Sequence, residues 1–124
     1  MRELKNLKKL ADEFFEEAEK FISKQKEPLV QEVNKTIKWG PESEKEMNWY
    51  EAKEWCEEQG GRLPTRFELQ CAYEDEEVRK TFQPDCSWSS TDFSGTNAWY
   101  VNFNNGNTSG SNKSTSFYVR CILN

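Results

Sequence analysis

The sequence predicts an α+β domain in which helices occupy the first two-thirds of the chain and short strands occupy the last third. Capped or amphipathic segments precede residue 80, whereas the stretch after Pro84 alternates aromatic and aliphatic residues with small polar ones. Charge follows the same division. After residue 80 the only formally charged side chains are Asp85, Asp92, Lys113 and Arg120. We therefore expect solvated helices followed by a nearly neutral sheet.

Residues 3–25 predict an amphipathic helix. Its apolar residues recur three and four positions apart and form one stripe: Leu4, Leu7, Ala11, Phe14, Ala18 and Phe21. The stripe either packs on the body of the domain or pairs with another chain, so a homo-oligomer through this helix is one alternative. Pro28 ends or kinks the helix. Residues 1–34 are assigned to the helix and a connector.

The next segment, residues 35–39, predicts a brief strand before a Gly40–Pro41 break. A second helix is expected at about residues 49–59. Asn48 is its N-cap, Glu51 completes a capping box, and two glycines follow its end.

A third helix is expected after Pro64, because Thr65 and Glu68 have the Thr-x-x-Glu spacing of a capping box. Beyond Pro84 the pattern predicts strands at residues 86–90, 98–104 and 117–123.

In the middle strand, Trp99 and Val101 alternate with Tyr100 and Asn102. Successive side chains of a strand point to opposite faces of a sheet. We expect the first pair to pack in the core and the second to face solvent.

Composition excludes several functions. A net charge of −5 leaves no basic field for nucleic acid. No stretch is apolar enough to insert into a membrane, and the N-terminus shows no signal peptide. We therefore expect the protein to be cytoplasmic, associated with a virion, or brought to a cell surface by another route. The chain has no histidine, the commonest general base and metal ligand. We expect no catalysis, no metal and no cofactor.

The order of several sequence motifs resembles a known family. These motifs are W-x-x-A-x-x-x-C from residue 49, GGRLPT-x-x-EL from 60, WSST from 88, AW-x-V-x-F from 98 and VRC from 119. They are similar to the C-type-lectin-like domains typified by the C-terminal domain of the Legionella collagen-like adhesin. The resemblance implies two helices on one short twisted antiparallel sheet, with long loops. It assigns residues 35–124 to the lectin-like domain.

Within that family the sequence is most similar to variable proteins of diversity-generating retroelements, which mutate adenines in the 3′ end of a target gene. Asparagine codons are preferred targets in such systems. The residues at 92–96, 109–111 and 114–117 can all be reached from asparagine codons through adenine changes. The alternative is that residues 92–96 and 105–116 are plain hairpin loops of ordinary turn composition.

Four cysteines allow three disulfide connectivities, which the sequence alone does not distinguish. The family resemblance implies a Cys56–Cys121 bridge. It leaves Cys71 and Cys86 as a second candidate pair. Alternatively, some of these residues are buried thiols that pack as small apolar side chains.

The sequence thus predicts a display scaffold that binds an unknown protein or surface ligand without covalent chemistry. Aromatic anchors and small polar residues form the predicted surface. Its members are Asp92, Phe93, Ser94, Gly95, Thr96, Tyr100, Asn102, Asn104, Asn107, Ser109, Ser111, Ser114, Ser116 and Phe117. The alternative function is a fixed-specificity adhesin or a structural lectin-like module.

Overall fold

A computed structural model describes residues 29–124, so the predicted helix at 3–25 and its apolar stripe lie outside the described residues. The helices are α1 at residues 29–36, α2 (Trp49–Glu58), α3 (Arg66–Glu74) and α4 (Glu76–Arg79). The strands are β1 (Trp39–Glu42), β2 (Gly61–Arg62), β3 (Cys86–Asp92), β4 (Asn97–Asn102), β5 (Thr108–Asn112) and β6 (Arg120–Leu123). This mixture of helices and antiparallel strands confirms the α+β class.

Both predicted capping boxes are present and set the starts of α2 and α3. The Asn48 side chain accepts a hydrogen bond from the Glu51 N–H at 2.9 Å, and Glu51 Oε1 accepts from the Asn48 N–H. Thr65 and Glu68 exchange the same pair of bonds, at 3.2 and 2.8 Å. Each box satisfies two backbone N–H groups that would otherwise lack a helical partner.

The strand predicted at residues 35–39 is wrong, because residues 29–36 are helical and β1 begins only at Trp39. Tertiary contacts explain the difference. Val30 is buried, and the Asn34 amide donates to the Cys71 carbonyl of α3 at 3.0 Å. Packing of α1 on α3 overrides the strand preference of Thr36 and its neighbours.

The Gly40–Pro41 pair lies inside β1 and does not end it, which also corrects the prediction. The pairing register of β1 with β6 shifts between Trp39 and Glu42. A bulge of this kind accommodates a proline within an edge strand, where its missing N–H breaks no ladder bond.

The predicted single sheet is replaced by two antiparallel sheets of three strands, ordered β1-β6-β2 and β3-β4-β5. Tyr118 joins them. The N–H of Trp88 donates to the Tyr118 carbonyl at 3.1 Å, and the N–H of Tyr118 donates to the Cys86 carbonyl at 3.2 Å. Tyr118 therefore covers the outer edge of β3, and the strand predicted at 117–123 is shortened to β6.

Strand β4 separates two hydrophobic clusters. The first contains Trp49, Ala52, Cys56, Leu63, Trp88, Ala98, Val119 and Cys121. The second contains Leu69, Ala72, Phe82, Val101 and Phe103. Ala98 and Val101 are three positions apart on β4 and therefore point to opposite faces of the sheet. β4 thus contributes a buried side chain to the first cluster through Ala98 and to the second through Val101.

The Cys56–Cys121 disulfide is present and links α2 to β6 across the first cluster, with Cα atoms 5.4 Å apart. Cys71 and Cys86 remain thiols, so the second predicted pair is wrong. Their surroundings differ: Cys71 lines a groove beside α1, whereas Cys86 lies near the carboxylates of Asp85 and Glu46. A disulfide requires side chains that converge.

Candidate ligand-binding surface

Four predicted surface residues lie on one face of the β3-β4-β5 sheet. Tyr100 pairs with Ser109, and Ala98 pairs with Ser111. Since paired residues share a face and alternate residues return to it, Tyr100, Asn102, Ser109 and Ser111 are all on the same side. We call this side the Tyr100 face.

Phe117 packs beside Tyr100 on that face. Their ring centroids are 4.8 Å apart, and the Phe117 ring is 4.7 Å from that of Trp88. Both Phe117 and Tyr100 are half-buried against the first cluster. The backbone of Phe117 is fixed by two hydrogen bonds with Met47, at 2.9 and 3.0 Å. The two aromatic rings therefore contact the core on one side and solvent on the other.

The third predicted anchor, Phe93, lies on the opposite face. Its ring centroid is 4.7 Å from that of Trp99, the neighbour of Tyr100 in β4. Adjacent strand residues point to opposite faces, so the sheet separates Phe93 from Tyr100 and Phe117. Phe93 is 49% exposed. The residues predicted as one surface are thus divided between two.

The Phe93 ring occupies the position that a side chain at residue 110 would take. A Cβ atom added at Gly110 would lie 2.3 Å from the ring, far closer than real carbon contacts. Gly110 pairs directly with Trp99 in the β4–β5 ladder. The absence of a side chain at 110 therefore allows Phe93 to cover the middle of β5.

Trp99 was expected in the core, but it is only half-buried. Its ring lies against the guanidinium of Arg66, whose central carbon is 3.8 Å from the ring centroid. The N–H of Arg66 donates to Thr91 Oγ1 at 3.0 Å. Arg66 thus contributes to the Phe93 side of the sheet, a role that no sequence signal indicated beyond its place after the Thr65 cap.

Residues 92–97 form a tight turn whose tip is exposed. The N–H groups of Phe93 and Ser94 both donate to the Asn97 carbonyl, at 3.0 and 3.1 Å. Gly95 and Thr96 are exposed at the tip. The predicted residues here are ordered by backbone bonds, while their side chains remain available for contact.

Lys113 holds this turn against the body of the domain. The side chain is almost fully buried, with Nζ 3.0 Å from Asp92 Oδ1 and 4.3 Å from the Trp49 ring centroid. Its N–H donates to the Thr96 carbonyl, and its carbonyl accepts from the Trp49 N–H, both at 2.9 Å. The one sequence signal for Lys113 is that it is the lone lysine in a nearly neutral segment, and this did not mark it as part of the predicted surface.

The remaining predicted residues lie at the two ends of β5. Asn104 and Asn107 are exposed in the β4–β5 turn, where the Asn102 side chain accepts from the Asn104 N–H at 2.9 Å. Ser114 and Ser116 are exposed after β5. Bonds of this kind, from side chain to backbone, are typical of turns.

The sequence of this chain matches the model of a known protein family. The model of the Lcl C-terminal domain matches residues 28–123. The chain belongs to the Lcl C-terminal domain family. This confirms the resemblance drawn from the motifs, that of the C-type-lectin-like variable proteins of diversity-generating retroelements. A comparison with curated proteins found no match.

Within residues 29–124, no group of three or more His, Cys, Asp or Glu side chains lies close enough together to hold a metal ion. No helix in the same range is long and apolar enough to cross a membrane. Burial, reinforced by the charges of Asp85 and Glu46, raises the pKa of the Cys86 thiol to about 11. Since the thiolate is the reactive form, Cys86 is a weak nucleophile near neutral pH.

Proposed function

We propose that this Lcl C-terminal domain is a C-type-lectin-like display scaffold that holds a protein or surface ligand by non-covalent contacts. The observation that carries the proposal is the composition of the Tyr100 face. Ser109, Ser111 and Asn102 surround a half-exposed pair of aromatic rings, Tyr100 and Phe117.

The residue types of this face suit recognition. Rigid aromatic side chains supply contact area at a low cost in conformational entropy, and small hydroxyl and amide groups supply adaptable hydrogen bonds. The four residues of the Tyr100 face and Phe117 carry no formal charge. We therefore expect ligand affinity to depend on apolar burial and hydrogen bonds, with little sensitivity to salt.

The scaffold beneath the face is held by other residues. Ser89 Oγ donates to the Trp99 carbonyl at 2.6 Å, and the Trp49 indole N–H donates to the Ser89 carbonyl at 2.9 Å. The Trp88 indole N–H donates to the Met47 carbonyl at 3.0 Å. Because these bonds do not involve the exposed side chains of Ser109, Ser114 and Ser116, those residues can change without loss of the fold.

We further propose that a retroelement diversifies the exposed part of this surface. Support comes from the family and from the position of exposed residues that are reachable from asparagine codons, such as Ser94, Ser109, Ser114 and Ser116. Tyr100 and Phe117 are different, because both pack on the first cluster. Their packing favours residues that stay the same in all variants. Unchanging binding residues are also what the alternative function requires, that of a fixed-specificity adhesin or structural module.

A paired library experiment tests the scaffold and its binding role. One library randomises Asn102, Ser109, Ser111, Ser114 and Ser116. The control library randomises Ser87 and Ser89, which are buried. We expect most members of the first library to be folded and few of the second, as measured by protease resistance on yeast.

The first library is then selected on immobilised lysozyme as a model ligand. Binders whose affinity is lost on reversal of the selected residues would support the proposal. Equal loss of folded members from both libraries, or the absence of any binder, would contradict it.

Deep sequencing of the 3′ end of the gene in its source population tests diversification separately. Changes confined to adenines of codons 87–118 are expected, with the WSST and VRC motifs intact. A uniform 3′ end would overturn diversification and favour one fixed ligand.

A further inference from the structure

The backbone groups of β5 point in two directions that the hydrogen-bond ladder fixes. The N–H of Asn102 donates to the Asn107 carbonyl at 2.8 Å, in the same register as the β4–β5 ladder. In an antiparallel ladder, hydrogen-bonded pairs alternate with pairs that do not bond. Ser109 and Ser111 therefore direct their backbone groups to β4. Thr108 and Gly110 direct theirs away from the sheet.

The two edges of this sheet differ. Tyr118 pairs with the outer edge of β3, as described above. On the β5 edge, neither Thr108 nor Gly110 has a backbone partner outside the ladder among the described residues. Within residues 29–124, β5 is an edge strand, and no described strand pairs with the outward N–H and C=O groups of these two residues.

The β5 edge also lacks the features that normally prevent strand pairing. Proteins protect exposed edges with charged side chains, prolines or bulges. β5 reads TSGSN, with no charge and no proline, and its pairing with β4 has no shift of register. The nearest lysine, Lys113, is buried beside Asp92 and does not project from the edge.

Phe93 provides an apolar contact at the centre of this edge. Its ring fills the space of the missing side chain at Gly110 and is half-exposed. A strand added beside β5 would lie about 4.8 Å away, so its residue opposite Gly110 would have its side chain next to the Phe93 ring. An apolar side chain there would bury that ring.

We propose that β5 binds an extended segment of a partner polypeptide, which pairs with Thr108 and Gly110 and places an apolar side chain against Phe93. This inference rests on the proposed ligand-binding function and names the chemistry of its partner. A second copy of this chain is less suited, since two five-residue edges bury much less than the roughly 1,200 Å² typical of a stable interface.

The test uses the full chain and a library of random ten-residue peptides displayed on phage. Selected peptides are measured against Thr108→Pro, which removes one outward N–H, and against Thr108→Val, which keeps it. Both variants lose the Thr108 hydroxyl bond to the Tyr100 carbonyl. We expect at least a tenfold loss of affinity for the proline variant and less than a twofold change for the valine variant.

An N-methyl scan of the selected peptide uses the unaltered protein and decides the outcome even where Thr108→Pro fails to fold. Strand pairing predicts loss of affinity at every second peptide position. The amides of Thr108 and Gly110 are also expected to become protected from hydrogen exchange when the peptide binds.

Three results would overturn the inference: peptides that bind the proline variant as tightly as the wild type, uniform tolerance of N-methylation, or a failure to select any peptide. If sedimentation showed a dimer formed through β5, and this dimer did not bind peptides, self-association would replace peptide binding as the role of β5. If any of these results were obtained but the surface library still gave lysozyme binders, the β5 inference would fail and the proposed function would stand. Failure of both selections would reject both.

Discussion

The first core cluster and the β5 region are held by different kinds of contact. Around the Cys56–Cys121 bridge, buried side chains such as Trp88 determine the structure. In β5 and the turn at residues 92–97, the backbone is held by its ladder, by the Asn97 carbonyl and by Lys113, while most side chains remain accessible. A fixed backbone and accessible side chains therefore occur together in one small domain.

The largest expected effect is that of Trp88→Ala. Trp88 is fully buried and its indole bonds the Met47 carbonyl, so the truncation should cost about 3–5 kcal/mol of the free energy of unfolding. Denaturant unfolding measures this. Trp55→Ala is the matched control, because Trp55 is only half-buried at the margin of the same cluster. An equal loss from both variants would contradict the importance assigned to the cluster.

Reduction of the Cys56–Cys121 bridge is expected to be nearly as destabilising. The bridge joins residues 65 positions apart, and the chain-entropy model gives about 4 kcal/mol for a loop of that length. Thermal unfolding with and without dithiothreitol checks this. Cys86→Ser, which removes one of the two remaining thiols and leaves the bridge intact, is the control and should show the same response to dithiothreitol as the wild type. An unchanged melting temperature on reduction would argue against the bridge in solution.

Glu68→Gln should have an intermediate effect that depends on pH. Bonds from Arg62, followed by those from the backbone and side chain of Thr65, hold the pKa of Glu68 below its usual 4.5. Its stabilising contribution is therefore complete above that pH and is lost as pH falls through the lower, folded-state value. Glutamine can keep the capping bond but loses the charge pair with Arg62, so we expect a loss of up to about 1 kcal/mol at pH 7.

Urea unfolding at pH 7 and pH 3 tests this pH dependence. The stability difference between Glu68→Gln and the wild type should shrink at the lower pH. Glu57→Gln, at an exposed residue near the end of α2, is the matched control for the loss of one surface carboxylate. A constant difference at both pH values would contradict the assigned role of the carboxylate.

The smallest effect is expected from asparagine at Ser94, Ser109 and Ser116 together. All three side chains are exposed, and substitutions at such sites usually change stability by less than about 0.5 kcal/mol each. Calorimetry should show a nearly unchanged melting temperature, with an altered surface. A loss comparable to that of Trp88→Ala would remove the distinction between the two regions.

The sequence predicted the elements whose signals are local. Both capping boxes fixed the starts of α2 and α3, since the Asn48–Glu51 and Thr65–Glu68 bonds form within a few residues. The alternation of β4 correctly separated Val101 from Tyr100, although Tyr100 also packs partly on the core.

Other elements depend on distant partners and were missed. β5 has little intrinsic strand preference and is a strand because it pairs with β4. α1 contacts α3 through the Asn34 bond to Cys71, which joins residues 37 positions apart. The place of Phe93 depends on the register of β5, and the burial of Lys113 depends on Trp49 and Asp92. None of these contacts is visible in the order of neighbouring residues.

The contact between Phe93 and Gly110 has a combinatorial consequence. With phenylalanine at 93, any side chain at 110 meets the ring, so the two positions are compatible only in certain pairs. The number of functional sequences at this site is then smaller than the product of the choices at each position. Collections of variants should show glycine at 110 wherever a large ring stands at 93, and larger residues at 110 only where 93 is small.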